Sequence, residues 1–270
     1  MSANKKEENI FAEERKHLIV ELVNKNYKTT VANLCSEFSV SPATIRNDLS
    51  DLEEAGFLKR THGGAISNRK ANYEPNSYQK EIEFMDEKKA IARAALQCIN
   101  EGDTIALDTG TTTFELAKLL INFKNLTVVT NDLQIAAYLE RNSDVTIIIA
   151  GGAVRRNFHC TTGKKAIDTI KDLNVDKTFL AANGISIKKG ASTPNIDMAG
   201  MKSVLVELAD EIILLCDSSK LDKSTFVRFA DLSQIDFLIT DYGADLDYVN
   251  LLKGEGLDVE MCPIEESENK

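Results

Sequence analysis

The stretch Asp108-Thr109-Gly110-Thr111-Thr112-Thr113 packs a carboxylate, four hydroxyls and a glycine between the apolar run DTIALD and the amphipathic run FELAKLL. A strand-to-helix turn of this composition can receive an anion. The first N–H groups of a helix lack partners within it, its dipole favours negative charge, and glycine permits close approach. The turn is neither GxxxxGK[ST] nor GxGxxG, which argues against a nucleotide. Other apolar runs also end on polar residues: Thr130 and Asn131; Gly151, Gly152 and Arg155; Gly184; and Asp217 to Lys220. Ligands of open α/β sheets bind at the carboxyl ends of the strands, so these groups are expected to converge. Arg155 and Lys220 would then hold a phosphate, and Asp108, Asn131 and Asp217 would receive sugar hydroxyls. A phosphorylated polar metabolite fits such a pocket; the plainer alternative is an ordinary threonine-rich helix start.

A second group lies in SVSPATIRNDLSDLEEAGFLKRTHGGA, residues 39 to 65. Ile45, Leu49 and Leu52 recur at helical spacing and fix an inward stripe, leaving Ala43, Thr44, Arg46, Asn47 and Ser50 facing outward. Ser41 suits the N-cap, Pro42 the first helical position and Gly56 the left-handed stop. FLKR and AI read as short strands around the tip THGG. Two helices precede them: FAEERKHLIVELVNKN, with Leu18, Ile19, Leu22 and Val23 inward, and VANLCSEF, capped by Thr30, with Val31, Leu34 and Phe38 inward. Helix, helix, turn, helix and hairpin make a winged helix-turn-helix. A DNA major groove about 12 Å wide admits one helix, so Arg46 suits guanine, Asn47 adenine, and Thr44 a base or a phosphate. Lys59, Arg60 and His62 on the wing would meet phosphates. No acid occurs between Ala55 and Lys70, whereas Lys59, Arg60, Arg69 and Lys70 do. The alternative is a three-helix interaction module with a solvated polar face.

The elements that must position the metabolite pocket begin near Glu87, where alternating helices and strands set in. Strands such as TIAL, TVVT and EIILL are apolar throughout, as in a parallel sheet covered by helices on both faces. The expected organisation is a winged helix-turn-helix over residues 1–66, a connector over 67–86, an α/β domain with a mostly parallel sheet over 87–264, and a polar tail over 265–270.

Composition is consistent with this division. Apolar residues form 43% of the 270 positions, enough for a substantial core. The net charge of −10 is unevenly placed: residues 1–70 hold 11 Lys and Arg against 10 Asp and Glu, so the acidity belongs to the rest. The five cysteines lie at least 46 residues apart without a CxxC, which argues against disulfides or a zinc site and for a reducing cytoplasm. MSANKKEEN does not read as a signal peptide, and the apolar runs are too short to span a bilayer, so no membrane association is expected.

Lys202 with Asp217 or Asp108 could serve as base and acid in sugar isomerisation, but no pair is singled out by local spacing. GxSxG and HExxH are absent, and His17, His62 and His159 fall on the first helix, the wing and an exposed loop. No catalytic residue, cofactor or metal is expected.

The 39–65 stretch resembles the N-terminal signature of DeoR-type bacterial transcription regulators. GDTIALDTGTTT, LTVVTN, IIAGG and LLCDSSK resemble their effector domain in the same order. The resemblance implies an operator-binding winged helix-turn-helix joined to a domain similar to ribose-5-phosphate isomerase that senses a phosphorylated sugar or related metabolite without catalysis. It implies a homo-oligomeric repressor of carbohydrate uptake or catabolism genes acting on double-stranded operator DNA; an activator of the same architecture and a sugar-phosphate isomerase with an accessory module are the alternatives. By position, Thr44, Arg46 and Asn47 fall in the family's TIRRD stretch, where Asn47 replaces an arginine. The phosphate loop maps onto Asp108, Thr109, Gly110, Thr111 and Thr112, and the rest of the pocket onto Thr130, Asn131, Gly152, Arg155, Gly184, Lys202, Asp217 and Lys220. Met198 stands where the family often has an acid, with Asp197 adjacent.

Overall fold

The computed structural model describes residues 12–26, 28–67, 74 and 77–264, and the chain divides into two compact units, Met1–Pro75 and Asn76–Lys270.

In the first unit, α1 (Ala12–Asn26), α2 (Val31–Phe38) and α3 (Pro42–Glu54) surround a core of Ile19, Val20, Val23, Leu34, Ile45, Leu49, Leu52, Leu58 and Ala65. Val20 is buried on α1, whereas Leu18, expected on the same stripe, is half-buried. The caps are those expected: Thr30 accepts from the Asn33 amide at 3.1 Å and Ser41 from that of Thr44 at 3.1 Å, while Gly56 adopts a φ of 81° after α3. The wing has one strand more than expected. β2 (Leu58–Thr61) and β3 (Gly64–Ser67) form the hairpin, and β1 (Lys28–Thr30) pairs antiparallel with β3 on its other side. At three residues, β1 is too short to show a period-2 pattern, and its last residue doubles as the N-cap of α2. A Cβ on Gly64 would lie 2.0 Å from the Thr29 carbonyl oxygen, so this crossing requires glycine.

The second unit is a three-layer sandwich. Its strands β4 (Thr104–Leu107), β5 (Thr127–Thr130), β6 (Thr146–Ile149), β9 (Val175–Ala181), β12 (Ala209–Leu215), β14 (Phe237–Asp241) and β15 (Asp258–Cys262) form an all-parallel sheet ordered β15-β14-β12-β9-β4-β5-β6. Strand side chains alternate between its two faces. Ile105, Leu107, Phe179, Ile213 and Leu215 pack with α5 (Met85–Leu96), α6 (Thr111–Leu119) and α7 (Leu133–Asn142). Ala106, Leu180 and Leu214 pack with α8 (Lys164–Ile170), α9 (Ile196–Glu207) and α10 (Leu246–Gly254). Burial of both faces explains the continuously apolar strands.

Several features depart from expectation. Helix α4 (Ser77–Ile82) and the start of α5 occupy part of the 67–86 stretch read as a connector. The hairpin of β7 (Ala153–Arg155) and β8 (Cys160–Thr162), and a small sheet of β10 (Gly184–Ser186), β11 (Gly190–Thr193) and β13 (Val227–Ala230), arise from runs too short and polar to stand out. Arg69, Lys70 and the tail 265–270 lie outside the described residues.

Candidate functional site

Helix α3 exposes Ala43, Arg46, Asn47 and Ser50, with Thr44 half-buried at its start. Ile45, Leu49 and Leu52 anchor the opposite face. Asp48, from the TIRND stretch, is buried and held by Arg15 of α1: Nε donates at 2.7 Å and Nη2 at 3.2 Å. This contact raises the Arg15 pKa, chiefly through the Asp48 hydrogen bond against the opposing effect of burial. It fixes the rotation of α3, and hence which side chains face outward. No local pattern in the sequence announces this pair, because its partners lie 33 residues apart.

The wing also braces the helix. Arg60 Nη1 donates to Ser50 Oγ at 3.0 Å, and its backbone N–H to Glu53 Oε1 at 2.8 Å. Lys59 and His62 are exposed, but Arg60 is half-buried. Two residues expected to meet DNA separately are thus coupled. The surface presents cations, an amide and hydroxyls on a rigid frame, groups suited to base edges and phosphates.

In the second unit, the parallel sheet brings the ends of β4, β5, β6, β9, β12 and β14 to one edge. Asp108, just beyond β4, is completely buried; its Oδ2 accepts from the Ala181 amide at 3.1 Å and from Lys202 of α9. Lys202 also donates to the Ala181 carbonyl at 2.8 Å and lies 5.4 Å from the Phe229 ring centroid. Thr109 donates to Asp132 Oδ2 at 2.6 Å, while Asp132 Oδ1 caps α7 through the Gln134 and Ile135 amides. Burial pushes the Asp132 carboxyl above its ordinary range, opposed by these hydrogen bonds. Asp132 is not among the residues expected at this strand end, and nothing in its spacing announces the contact with Thr109.

Gly110 opens α6 without a side-chain cap. A Cβ there would approach Ala181 Cβ to 3.0 Å, so glycine lets the turn sit tightly against the end of β9. The first turn of α6 therefore offers N–H groups beside the hydroxyls of Thr111 and Thr112. Asp108 Oδ1 and Asn131 Oδ1 are buried acceptors with no donor among the described residues, at the ends of the paired strands β4 and β5.

The other expected pocket residues divide by role. Thr130 donates to the Leu107 carbonyl at 2.7 Å and accepts from the Asp132 amide at 3.0 Å, bracing the turn. A Cβ on Gly152 would meet the Thr162 carbonyl and Ala166 Cβ at 2.8 Å each, and one on Gly184 the Lys223 carbonyl at 2.7 Å; packing alone requires both glycines. Asp217 caps the short turn Ser218–Lys220 and stands 3.5 Å from the Lys220 ammonium. The Arg155 guanidinium stacks on Phe158, 3.6 Å from the ring centroid. Met198 is buried, its sulfur 3.8 Å from Cys160 Sγ, and Asp197 is exposed, so the neighbouring acid does not take its place. Burial drives the Cys160 thiol up to about 11, leaving it protonated and a poor nucleophile at neutral pH. Among the described residues, no group of His, Cys, Asp or Glu is arranged to hold a metal, and no helix is long and apolar enough to cross a membrane.

These two units match two family models: a DeoR-like helix-turn-helix domain over residues 15–71 and a DeoR C-terminal sensor domain over residues 83–242. The chain belongs to the DeoR family of transcriptional regulators. Among its relatives, the HTH-type transcriptional regulator GlpR of Haloferax volcanii is 37% identical over 91% of this chain and 96% of its own length. The putative aga operon transcriptional repressor of Escherichia coli O157:H7 is 32% identical over 91% of this chain and 92% of its own. A solved ribose 5-phosphate isomerase A from Methanocaldococcus jannaschii aligns with 51% of this chain and 54% of its own at 16% identity and a TM-score of 0.39, too distant a likeness to bear on chemistry.

Proposed function

We propose that the chain represses a carbohydrate uptake or catabolism operon as a cytoplasmic homo-oligomer on double-stranded operator DNA, under control of a phosphorylated sugar or sugar alcohol. Arg46, Asn47 and Thr44 read bases, and Ser50, Lys59, Arg60 and His62 support them along the backbone. The effector phosphate occupies the α6 start formed by Thr109, Gly110, Thr111 and Thr112, with Arg155 and Lys220 as counter-charges. Its hydroxyls face Asp108, Asn131, Asp217 and Lys202; Thr130, Gly152 and Gly184 shape the walls.

The observation that carries the sensing half is the pair of buried oxygens, Asp108 Oδ1 and Asn131 Oδ1, near the uncapped start of α6. A buried acceptor without a donor costs about 1 to 3 kcal/mol, which a ligand hydroxyl would recover. The chain acts as a sensor rather than an enzyme: Lys202 and Asp108 are held by each other and by the Ala181 backbone. Calorimetric titration of the full chain with triose, pentose and hexose phosphates tests the assignment. Heat from a phosphorylated member and none from its unphosphorylated counterpart supports it, whereas no binding by any member removes the sensing half. Turnover of a bound sugar phosphate would instead establish an isomerase.

A further inference from the structure

Lys88, on the second turn of α5, has no part in the effector pocket described above, yet only 4% of it is exposed. Its ammonium donates to the carbonyls of Lys80 and Glu83, tying the end of α4 to α5 across Phe84. Phe84 itself adopts φ 55°, a left-handed conformation unfavourable for an aromatic residue that persists only where its surroundings hold it. Burial lowers the Lys88 pKa to about 8, with Asp217 raising it and Lys220 lowering it through their charges. Lys88 thus feels the charges of two expected pocket residues.

The same short segment has two further attachments to the pocket. The Lys220 ammonium stands 5.7 Å from the Phe84 ring centroid. At the start of α4, the Ser77 amide donates to the Asn157 carbonyl at 3.1 Å, and from the last turn of α4 the Lys80 ammonium reaches to 5.6 Å from the Phe158 ring centroid. Phe158 is the ring on which Arg155 stacks. Residues 77–88 therefore touch the hairpin bearing Arg155 through Ser77 and Lys80, and Lys220 through Phe84. They are also the first described residues of the second unit after its boundary at Pro75.

We infer that residues 77–88 form the response element of the effector pocket, with Lys88 as the positioning residue that latches α4 to α5 so that a charge change at Arg155 and Lys220 reaches the chain leading to the DNA-binding unit. This inference rests on the proposed sensing of a phosphorylated ligand. An anion that draws Arg155 off Phe158 and Lys220 away from Phe84 changes the partners of both attachments of the segment together. Differential contacts of this kind are what allow a ligand to shift a conformational equilibrium.

The test uses full-length chain and a fixed probe set: inorganic phosphate, glycerol 3-phosphate, ribose 5-phosphate, fructose 1-phosphate and fructose 6-phosphate. Backbone hydrogen exchange over residues 77–88, probe binding and operator affinity are measured for the wild type, Lys88→Arg and Lys88→Met. A binding probe is expected to change exchange across 77–88 in the wild type. Lys88→Met should bind that probe with similar affinity but lose most of an operator response on the order of fivefold or more, and Lys88→Arg should restore it. Should Lys88→Met fail to fold, Lys80→Met, which removes the cation over the Phe158 ring and leaves the Arg155 stacking in place, is expected to uncouple binding from response in the same way. Probe binding without altered exchange at 77–88, or a Lys88→Met operator response equal to wild type, overturns the relay and leaves the sensor intact. Failure of every probe to bind the wild type overturns both.

Discussion

Arg15 and Asp48, 33 positions apart, form a buried two-pronged ion pair that joins the first helix to the helix presenting Arg46 and Asn47. Removing one member of a buried pair leaves a charge in an environment built for two, whereas replacing both with apolar groups of similar volume relieves that penalty. Asp48→Ala is expected to destabilise the first unit by about 3 kcal/mol. Arg15→Met with Asp48→Leu should lose less than the single changes added together. Denaturant unfolding checks this; additive losses would mean that the two residues are not energetically coupled.

Arg46→Ala should weaken binding to the specific operator by about 1 to 3 kcal/mol while leaving nonspecific DNA affinity nearly unchanged, because a base contact carries sequence information and a phosphate contact does not. Lys59→Ala should weaken both alike and flatten the salt dependence. Asn47→Arg, which restores the family pattern, is expected to alter the preferred operator sequence. Selection from a randomised DNA pool measures that change, and an unaltered preference would exclude Asn47 from reading bases.

Ser41 accepts the Thr44 amide at the start of α3. Ser41→Ala should cost about 1 kcal/mol of stability, the usual loss for a missing N-cap, and Ser41→Asp should recover it. Loss on aspartate substitution equal to that on alanine would assign the effect to something other than the cap.

Lys88 gives stability a distinctive pH dependence. Its folded pKa of about 8 lies below its ordinary value of 10.5. Between those values the unfolded chain binds more protons at this site, so stability rises with pH; the penalty of the buried charge is fully present below pH 8 and relieved toward 10.5. The stability of the wild type relative to Lys88→Met should therefore increase by about 3 kcal/mol across that window. A flat or falling difference would show that Lys88 titrates normally in the folded protein.

Much of this architecture is legible locally. Ser41, Pro42 and Gly56 bound α3, the i, i+4, i+7 stripe fixes its inward face, and uninterrupted apolar strands signal a sheet covered on both sides. The turn at Asp108 to Thr112 was likewise readable from its own composition. Longer-range relationships were not: Asp108 meets a lysine 94 residues away, and Arg15 pairs with Asp48 only after three helices pack. Glycines 152 and 184 look like ligand-facing residues in sequence, but their need for glycine comes from backbone across the fold. Helix α4 is not legible in the sequence because six residues hold too few turns to display a periodicity.

The most direct measurement of the account is the anisotropy of a labelled operator fragment titrated with full-length protein, with and without a saturating sugar phosphate that calorimetry shows to bind. The bound sugar phosphate is expected to change the operator Kd by about 5- to 150-fold, the usual range of coupling between two sites, while its unphosphorylated counterpart has no effect. An operator Kd that stays the same when the pocket is saturated would contradict it.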